Sequence, residues 1–270
     1  LAVQMRFVSG MFGLLRRNKL NAALPDGERI YAVGDIHGEG TLFADLLRRI
    51  SDDGDGRARA RTTLVLLGDF IDRGPDAADL LRSFSGYASA ELVILKGNHE
   101  AALVASYRGD VEAVDFWRRF GGRSTLSGLG LSQHEIDTLS TAELVIELRK
   151  RISPEIIAWL DRLPLCWSSG GYFFAHAGVR PGKRLHRQEE RDLLWIRDKF
   201  LGSKADHGKV VVHGHSVEPG LPELGGNRIG IDTGAHEYGI LSALGLEGED
   251  QWIIQASRAH SGLSPAPDRS

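Results

Sequence analysis

The stretch TTLVLLGDFIDRGP, Thr62 to Pro75, changes from apolar to charged at Gly68. Thr62 to Leu67 reads as a buried strand, a short apolar run with a glycine at its end. Asp69, Asp72 and Arg73 follow, closed by Gly74 and Pro75. Taken alone, such a cluster is as readily an ordinary solvated turn as a site. Its meaning depends on whether other strand ends carry matching groups.

They do. Upstream, Arg29 to Val33 (RIYAV) ends in GDIHG, Gly34 to Gly38, and downstream, Glu91 to Leu95 (ELVIL) leads into GNHE, Gly97 to Glu100. Thr41 to Ile50 repeats apolar residues at helical spacing, and Pro75 to Phe84 reads as a helix with proline in its first turn. Ser51 to Arg61 reads as a charged loop. Strands alternating with helices predict a parallel, layered α/β core. From Glu112 to Asp161 the pattern is helical, broken at Gly121-Gly122 and at Gly128 to Gly130. This predicts a helical insertion over one end of the sheet. Strand signals return at Gly171 to Ala175, followed by HAGV (His176 to Val179), and at Lys209 to Val212, followed by HGH (His213 to His215). Further strands are expected at Arg228 to Ile231, Gly239 to Leu246 and Gln251 to Gln255. Crossover helices are scarce there, so mixed pairing is expected. The predicted architecture is a two-sheet α/β sandwich over residues 28–258, with 112–161 as the insertion, 1–27 as an extension and 259–270 as a frayed tail.

The chain has 270 residues, 42% of them hydrophobic, and a formal charge of −3, which gives no global attraction to nucleic acid. No nucleic-acid partner is expected. The single cysteine, Cys166, excludes an intrachain disulfide and fits a reducing, cytoplasmic setting. No apolar run approaches the ~18 residues of a spanning helix. Met5 to Lys19 sets Phe and Leu beside Arg and Lys, which allows weak contact with a membrane surface. Nothing in the sequence specifies an oligomeric state.

In open α/β sheets, ligands bind where strands end, so five polar clusters at five strand ends point to one shared site. Asp35, His37, Asp69, Asn98, His176 and His215 form a mixed oxygen and nitrogen donor set without thiolate. That set suits catalytic manganese, iron or zinc rather than a cysteine-type structural zinc. Six donors exceed the need of one ion, and two ions sharing a carboxylate fit better. Arg73, and Arg197 after the apolar Leu193 to Ile196, offer forked donors for a phosphoryl group.

In this order the motifs resemble the calcineurin-like metallophosphoesterases, and within them the phosphoprotein phosphatase branch. LLWIR (Leu193 to Arg197) and IDTGA (Ile231 to Ala235) are similar to its bacterial and phage members. The resemblance implies two divalent metal ions, manganese first. Asp35, His37 and Asp69 would hold one ion. Asp69 would be shared with the second, completed by Asn98, His176 and His215. It also implies His99 as general acid with Asp72 orienting its ring, Arg73 and Arg197 on the phosphate, and direct attack of water shared by the ions. Asn98 and His99 would also face the substrate. The implied substrate is a phosphoprotein or phosphopeptide, at serine or threonine with tyrosine left open.

Two rival functions are a dinucleoside tetraphosphate hydrolase and a non-catalytic metal-binding scaffold. The tetraphosphate hydrolases typically carry Ala at the place of Asp72 and Asp at the place of Glu100; both positions here follow the phosphatase pattern. A scaffold would be expected to lack a ligand or the acid.

Several residues have plainer readings. His213 reads as a partner behind the ligands or as strand packing. His134, His186, His207, His236 and His260 read as surface, with pocket lining the alternative for His236 and for Tyr238. Glu100 reads as a first-turn helix acid. Trp117 to Phe120 reads as a helix core stripe with a solvated face. Cys166 reads as a buried core thiol; Tyr172, not arginine, stands six residues beyond it, where a cysteine-nucleophile phosphatase loop would need arginine.

Overall fold

Alternation along β1 (Glu28–Val33) sets how the first sheet is packed. Ile30 and Ala32 face one side, Tyr31 and Val33 the other, and all four are buried. A strand covered on both faces needs a layer on each. The computed structural model describes residues 22–87 and 89–258. After β1 come α1 (Gly40–Asp55), β2 (Arg61–Leu66), α2 (Ala77–Ser85), β3 (Leu92–Ile94) and α3 (Asn98–Arg108). The insertion then runs through α4 (Val111–Trp117), α5 (Arg123–Gly128), α6 (Gln133–Thr138), α7 (Thr141–Arg151) and α8 (Pro154–Asp161). The second half holds β4 (Cys166–Ser169), β5 (Tyr172–Ala175), α9 (Glu190–Trp195), α10 (Asp198–Leu201), β6 (Val210–His213), β7 (Glu223–Leu224), β8 (Arg228–Gly230), α11 (Ala235–Tyr238), β9 (Ile240–Glu247) and β10 (Asp250–Ser257).

One sheet has the order β10-β9-β1-β2-β3 and the other β4-β5-β6-β8-β7. In the first, β1, β2 and β3 are parallel; in the second, β5, β6 and β8 are parallel. The flanking strands are antiparallel. This is the expected two-sheet sandwich. Ile30, Ala32, Val65 and Leu67 meet Tyr172, Phe174, Val210 and Val212 between the sheets. On the outer face of the first sheet, Tyr31, Val33 and Leu66 pack against α1, α2 and the insertion. On the outer face of the second, Phe173 and Val211 pack against Phe200 of α10. Each fully buried large side chain contributes roughly 1.5–3 kcal/mol.

Four local differences from the sequence reading have physical reasons. Ser51 to Asp55 is helix rather than loop. Asp53, near the end of α1, accepts from Tyr31 Oη (2.6 Å), Trp252 Nε1 (3.1 Å) and Arg57 Nε (2.8 Å), which fixes the last turn despite Gly54. The short β4 and β7 lie at the two edges of the second sheet, where two to four residues leave little pattern. Cys166 lies on edge strand β4 and is half-buried, not fully buried. Ala22 and Leu24, placed in the extension by sequence, are buried between the sheets, and Leu24 N–H donates to the Gly248 carbonyl (2.9 Å). Met5 to Lys19, the tail 259–270 and His260 lie outside the described residues. Among those described, no helix is long and apolar enough to cross a membrane.

Gly245 of β9 faces Trp252 of β10, and a Cβ there would run into the indole ring. The ring cannot yield. Tyr31 packs on it edge-on at 5.9 Å, Arg57 covers it at 3.5 Å, and its N–H is bound to Asp53. Gly245→Ala is expected to lower stability by about 1–3 kcal/mol, the range for overpacking a core, read as a lower urea midpoint with an unchanged slope.

Candidate metal centre

The strand ends converge at one edge of the sandwich. Asp35 and His37 follow β1, Asp69 and Asp72 follow β2, Asn98 and His99 open α3 after β3, His176 follows β5 and His215 follows β6. All eight are buried. The sheets approach backbone to backbone here: a Cβ on Gly34 would strike the Ile231 carbonyl. Among the described residues, the non-glycine positions with left-handed backbone are His37, Asp69, Asp72, Arg73 and His215. Every one lies in this cluster. Such conformations persist only where surrounding contacts over-determine them, and they concentrate at functional sites.

Asp69 is the centre of the arrangement. Its Oδ2 lies 3.4 Å from His176 Nε2, 3.7 Å from His37 Nε2 and 3.8 Å from His99 Nε2. Its Oδ1 accepts from His99 N–H (3.0 Å). Ligand atoms of His37, Asp69 and His99 lie within 4.8 Å of one another, as do those of Asp69, His176 and His215. One carboxylate thus belongs to two donor clusters. Glu100 holds the turn that presents it. Its carboxylate accepts from the N–H groups of Asp69 (2.8 Å), Phe70 (3.0 Å), Ile71 (3.3 Å) and Gly97 (2.8 Å). Glu100 therefore does more than cap a helix: it ties the end of β2 to the end of β3.

The chemistry of the donors fits divalent metal. His37 Nδ1 donates to the Ile71 carbonyl (3.1 Å) and His176 Nδ1 to the Leu67 carbonyl (2.9 Å), which turns each Nε2 inward. That second bond is how ligating histidines are oriented. His176 Nε2 is also 2.8 Å from Asn98 Oδ1. Asp35 Oδ2 accepts from His215 N–H (3.0 Å), while Asp35 Oδ1 and His215 Nε2 are buried without a hydrogen-bond partner. Burial, then Asp232 and Asp69, pushes the Asp35 carboxyl well above its usual range. Burial and then His99 push His37 down, and burial with His176 pushes His215 down to about 2. Crowded buried carboxylates beside inward-facing imidazole nitrogens, with two acceptors left unpartnered, are the groups a cation compensates. Asp232, after β8, faces this cluster; burial pushes its carboxyl up to about 6. It was not singled out from sequence, although it too is an aspartate directly following an apolar strand.

His99 stands apart chemically. Its Nδ1 donates to Asp72 Oδ2 (2.6 Å). Burial opposes the charged ring, but Asp69 and the hydrogen-bonded Asp72 outweigh it and raise the His99 pKa. Asp72 is itself anchored by the insertion: Trp117 Nε1 donates to Oδ2 (2.7 Å) and Thr125 Oγ1 to Oδ1 (2.5 Å). Trp117 is buried in the core as expected, and its indole N–H has a polar task besides. Phe120, from the same expected stripe, is exposed, because the helix breaks at Phe120 and Gly121.

Arg73 and Arg197 are exposed at the mouth, with Arg197 close enough for its charge to act on His215. His213 is buried against Phe200 at 5.1 Å and donates from Nδ1 to the Gly214 carbonyl (3.0 Å), so it packs rather than joining the donor clusters. His236 lines the adjoining cleft and bonds to Glu39 (2.9 Å). Tyr238 is exposed and covers Gly234, away from the cleft wall.

With this geometry in view, similarity to known proteins is specific. Residues 28–241 match the model of the calcineurin-like phosphoesterases. The chain belongs to that family, whose divalent-metal chemistry has its donor set in these clusters. Serine/threonine-protein phosphatase 2 of Escherichia coli K12 is 30% identical over 237 residues, 84% of this chain and 96% of that protein. The symmetrical bis(5'-nucleosyl)-tetraphosphatase of Aromatoleum aromaticum is 33% identical over 198 residues, 73% of this chain and 57% of that protein. The chain spans about half the length of the curated tetraphosphatases it matches. The fold also matches a structure provisionally described as a diadenosine tetraphosphatase (TM-score 0.57, 21% identity, 90% of this chain and 100% of that one). It matches equally a Saccharomyces cerevisiae serine/threonine phosphatase with similarity to human PP5 (TM-score 0.57, 15% identity, 87% and 81%).

Trp117→Phe keeps the aromatic volume and removes the N–H, leaving Asp72 with one donor fewer in a buried site. The expected loss is about 1–3 kcal/mol of unfolding free energy, measured by urea unfolding of the purified protein.

Proposed function

We propose that the chain is a divalent-metal-dependent phosphomonoesterase of the cytoplasm, acting on phosphorylated protein at serine or threonine and, by the same chemistry, at tyrosine. The observation that carries this reading is the 2.6 Å contact between His99 and an Asp72 anchored by Trp117 and Thr125. A serine or threonine alkoxide is a poor leaving group, and a proton delivered as the P–O bond breaks is worth about 10²–10⁴-fold. A nucleoside diphosphate departs as a stable anion and needs that proton far less. A chain that builds an anchored acid is therefore suited to the alkoxide.

In this reading Asp35, His37 and Asp69 hold one cation, and Asp69, Asn98, His176 and His215 a second. Manganese suits such mixed oxygen and nitrogen donors, as do iron and zinc. Bound there, the cations supply Lewis-acid charge to the phosphoryl oxygens and lower the pKa of water. The protein's own groups orient the ester. The Arg73 and Arg197 guanidiniums grip the non-bridging oxygens in forked geometry. His99 gives its Nε2 proton to the departing oxygen while Nδ1 stays on Asp72, whose charge favours the protonated ring.

A second reading, dinucleoside tetraphosphate hydrolysis, is favoured by the tetraphosphatase relatives, up to 33% identical to this chain. The leaving group separates the two. With manganese added, Asp72→Asn is expected to slow a phosphoseryl peptide about 100-fold and para-nitrophenyl phosphate, an activated ester, much less. Equal slowing of both esters would remove His99 as the leaving-group acid, and turnover confined to diadenosine tetraphosphate would remove the phosphomonoesterase reading. Asp69→Asn is expected to lower bound manganese from two ions per chain to one or none by elemental analysis; retention of both ions contradicts the shared-ligand role.

A further inference from the structure

A cleft of about 840 Å³ opens beside the metal centre, lined by Arg73, Arg119, Phe120, Gly121, Arg123 and His236 among others. No carboxylate lines it among the described residues. A second hollow of about 430 Å³ is lined by Asp115, Arg118, Arg119 and Arg123, and in it Arg118 pairs with Asp115 (3.3 Å). In a chain with net charge −3, this is a local concentration of positive charge. Two of its polar groups already have carboxylate partners: Arg123 binds Asp137 (2.5 Å) and His236 bonds to Glu39 (2.9 Å). Arg73 and Arg119 have no ion-pair partner among the described residues. Arg73 faces the phosphoryl site, so Arg119 is the charge without an assignment.

The position of the cleft says which part of a substrate it meets. Gly121 forms its wall, accepts the Arg73 N–H (3.1 Å) and stands against the acid; a Cβ on Gly121 would sit 3.1 Å from His99 Cε1 and 3.2 Å from Asp72 Cβ. The cleft therefore begins where the departing oxygen takes its proton. It lies within the ~300–1,000 Å³ usual for ligand pockets, far more room than one phosphoryl group fills.

We propose that this cleft is a leaving-group subsite in which Arg119 binds a second anionic group, and that the preferred substrates are phosphopeptides with acidic residues beside the phosphorylated one. The inference rests on the phosphomonoesterase reading above. Arg119 reads specificity here and takes no part in bond breaking.

The test compares two phosphoseryl peptides of equal length, one with Asp and Glu flanks and one with Asn and Gln. The native protein with manganese is expected to favour the acidic peptide about fivefold in kcat/KM, the upper range for an exposed ion pair, through KM. The preference is expected to shrink at high salt, to vanish in Arg119→Ala, to persist in part in Arg119→Lys and to invert in Arg119→Glu. Equal rates on both peptides, or a preference that Arg119→Ala leaves intact, would overturn the proposal. So would a rise in KM for diadenosine tetraphosphate in Arg119→Ala without any flank effect, which assigns the cleft to an oligophosphate leaving group. If neither peptide nor para-nitrophenyl phosphate is hydrolysed, the phosphomonoesterase reading itself falls and the inference with it, a result distinct from turnover without flank preference.

Discussion

The Glu100 carboxylate, buried and bound to four backbone N–H groups, is the contact on which the site depends. Three of those donors are consecutive residues, Asp69 to Ile71, and the turn that aims them at one acceptor begins with Asp69 in left-handed backbone. A strained residue of this kind costs of order 1–3 kcal/mol. Hydrogen bonds to a charged group contribute about 1.5–3 kcal/mol each, so four of them can hold the turn against its strain. The fourth donor, Gly97, starts α3, which carries Asn98 and His99. One carboxylate therefore sets both the position of the shared Asp69 and the register of the helix bearing its neighbours. Burial and Asp69 push the Glu100 carboxyl up to about 7, while the N–H groups pull it down; the ionised form is the one that accepts all four.

The division of labour follows from where each group is rooted. Donors for cations come from strand ends of both sheets, where parallel hydrogen bonding and close backbone approach leave little freedom. The hold on the His99–Asp72 pair comes from the insertion. Trp117 and Thr125 reach Asp72 from 45 and 53 residues away, so Asp72 has its full set of donors only when the helical layer is seated.

The same contrast explains what could be read in the sequence. Each donor follows its strand within a few residues, so local pattern sufficed to bring Asp35, His37, Asp69, Asn98, His176 and His215 together. Asp232 had the same local signature in IDTGA and could have been found by it. Glu100, Trp117 and Thr125 could not, because their partners are fixed by tertiary packing. A tryptophan in a helical run looks apolar whatever its N–H meets. Likewise the last turn of α1 depends on Tyr31 and Trp252, which no window around Gly54 contains.

The break after α4 connects these themes. Trp117 and Gly121 are four residues apart and turn inward to Asp72 and His99. Phe116 and Phe120, at the same spacing, stack outside at 4.7 Å, and Phe116 continues to Trp195 at 5.5 Å, whose ring stands 6.2 Å from His215. With Trp117 seated inward, Arg119 and Phe120 are left on the outside, both exposed, and line the cleft. Gly121, with φ of 143°, then lets the chain turn close over the acid where a side chain would be strained. The support of the His99–Asp72 pair and the surface beside it are thus two faces of one short segment. A substitution that unseats Trp117 would disturb both, whereas one at exposed Arg119 leaves Asp72 its donors.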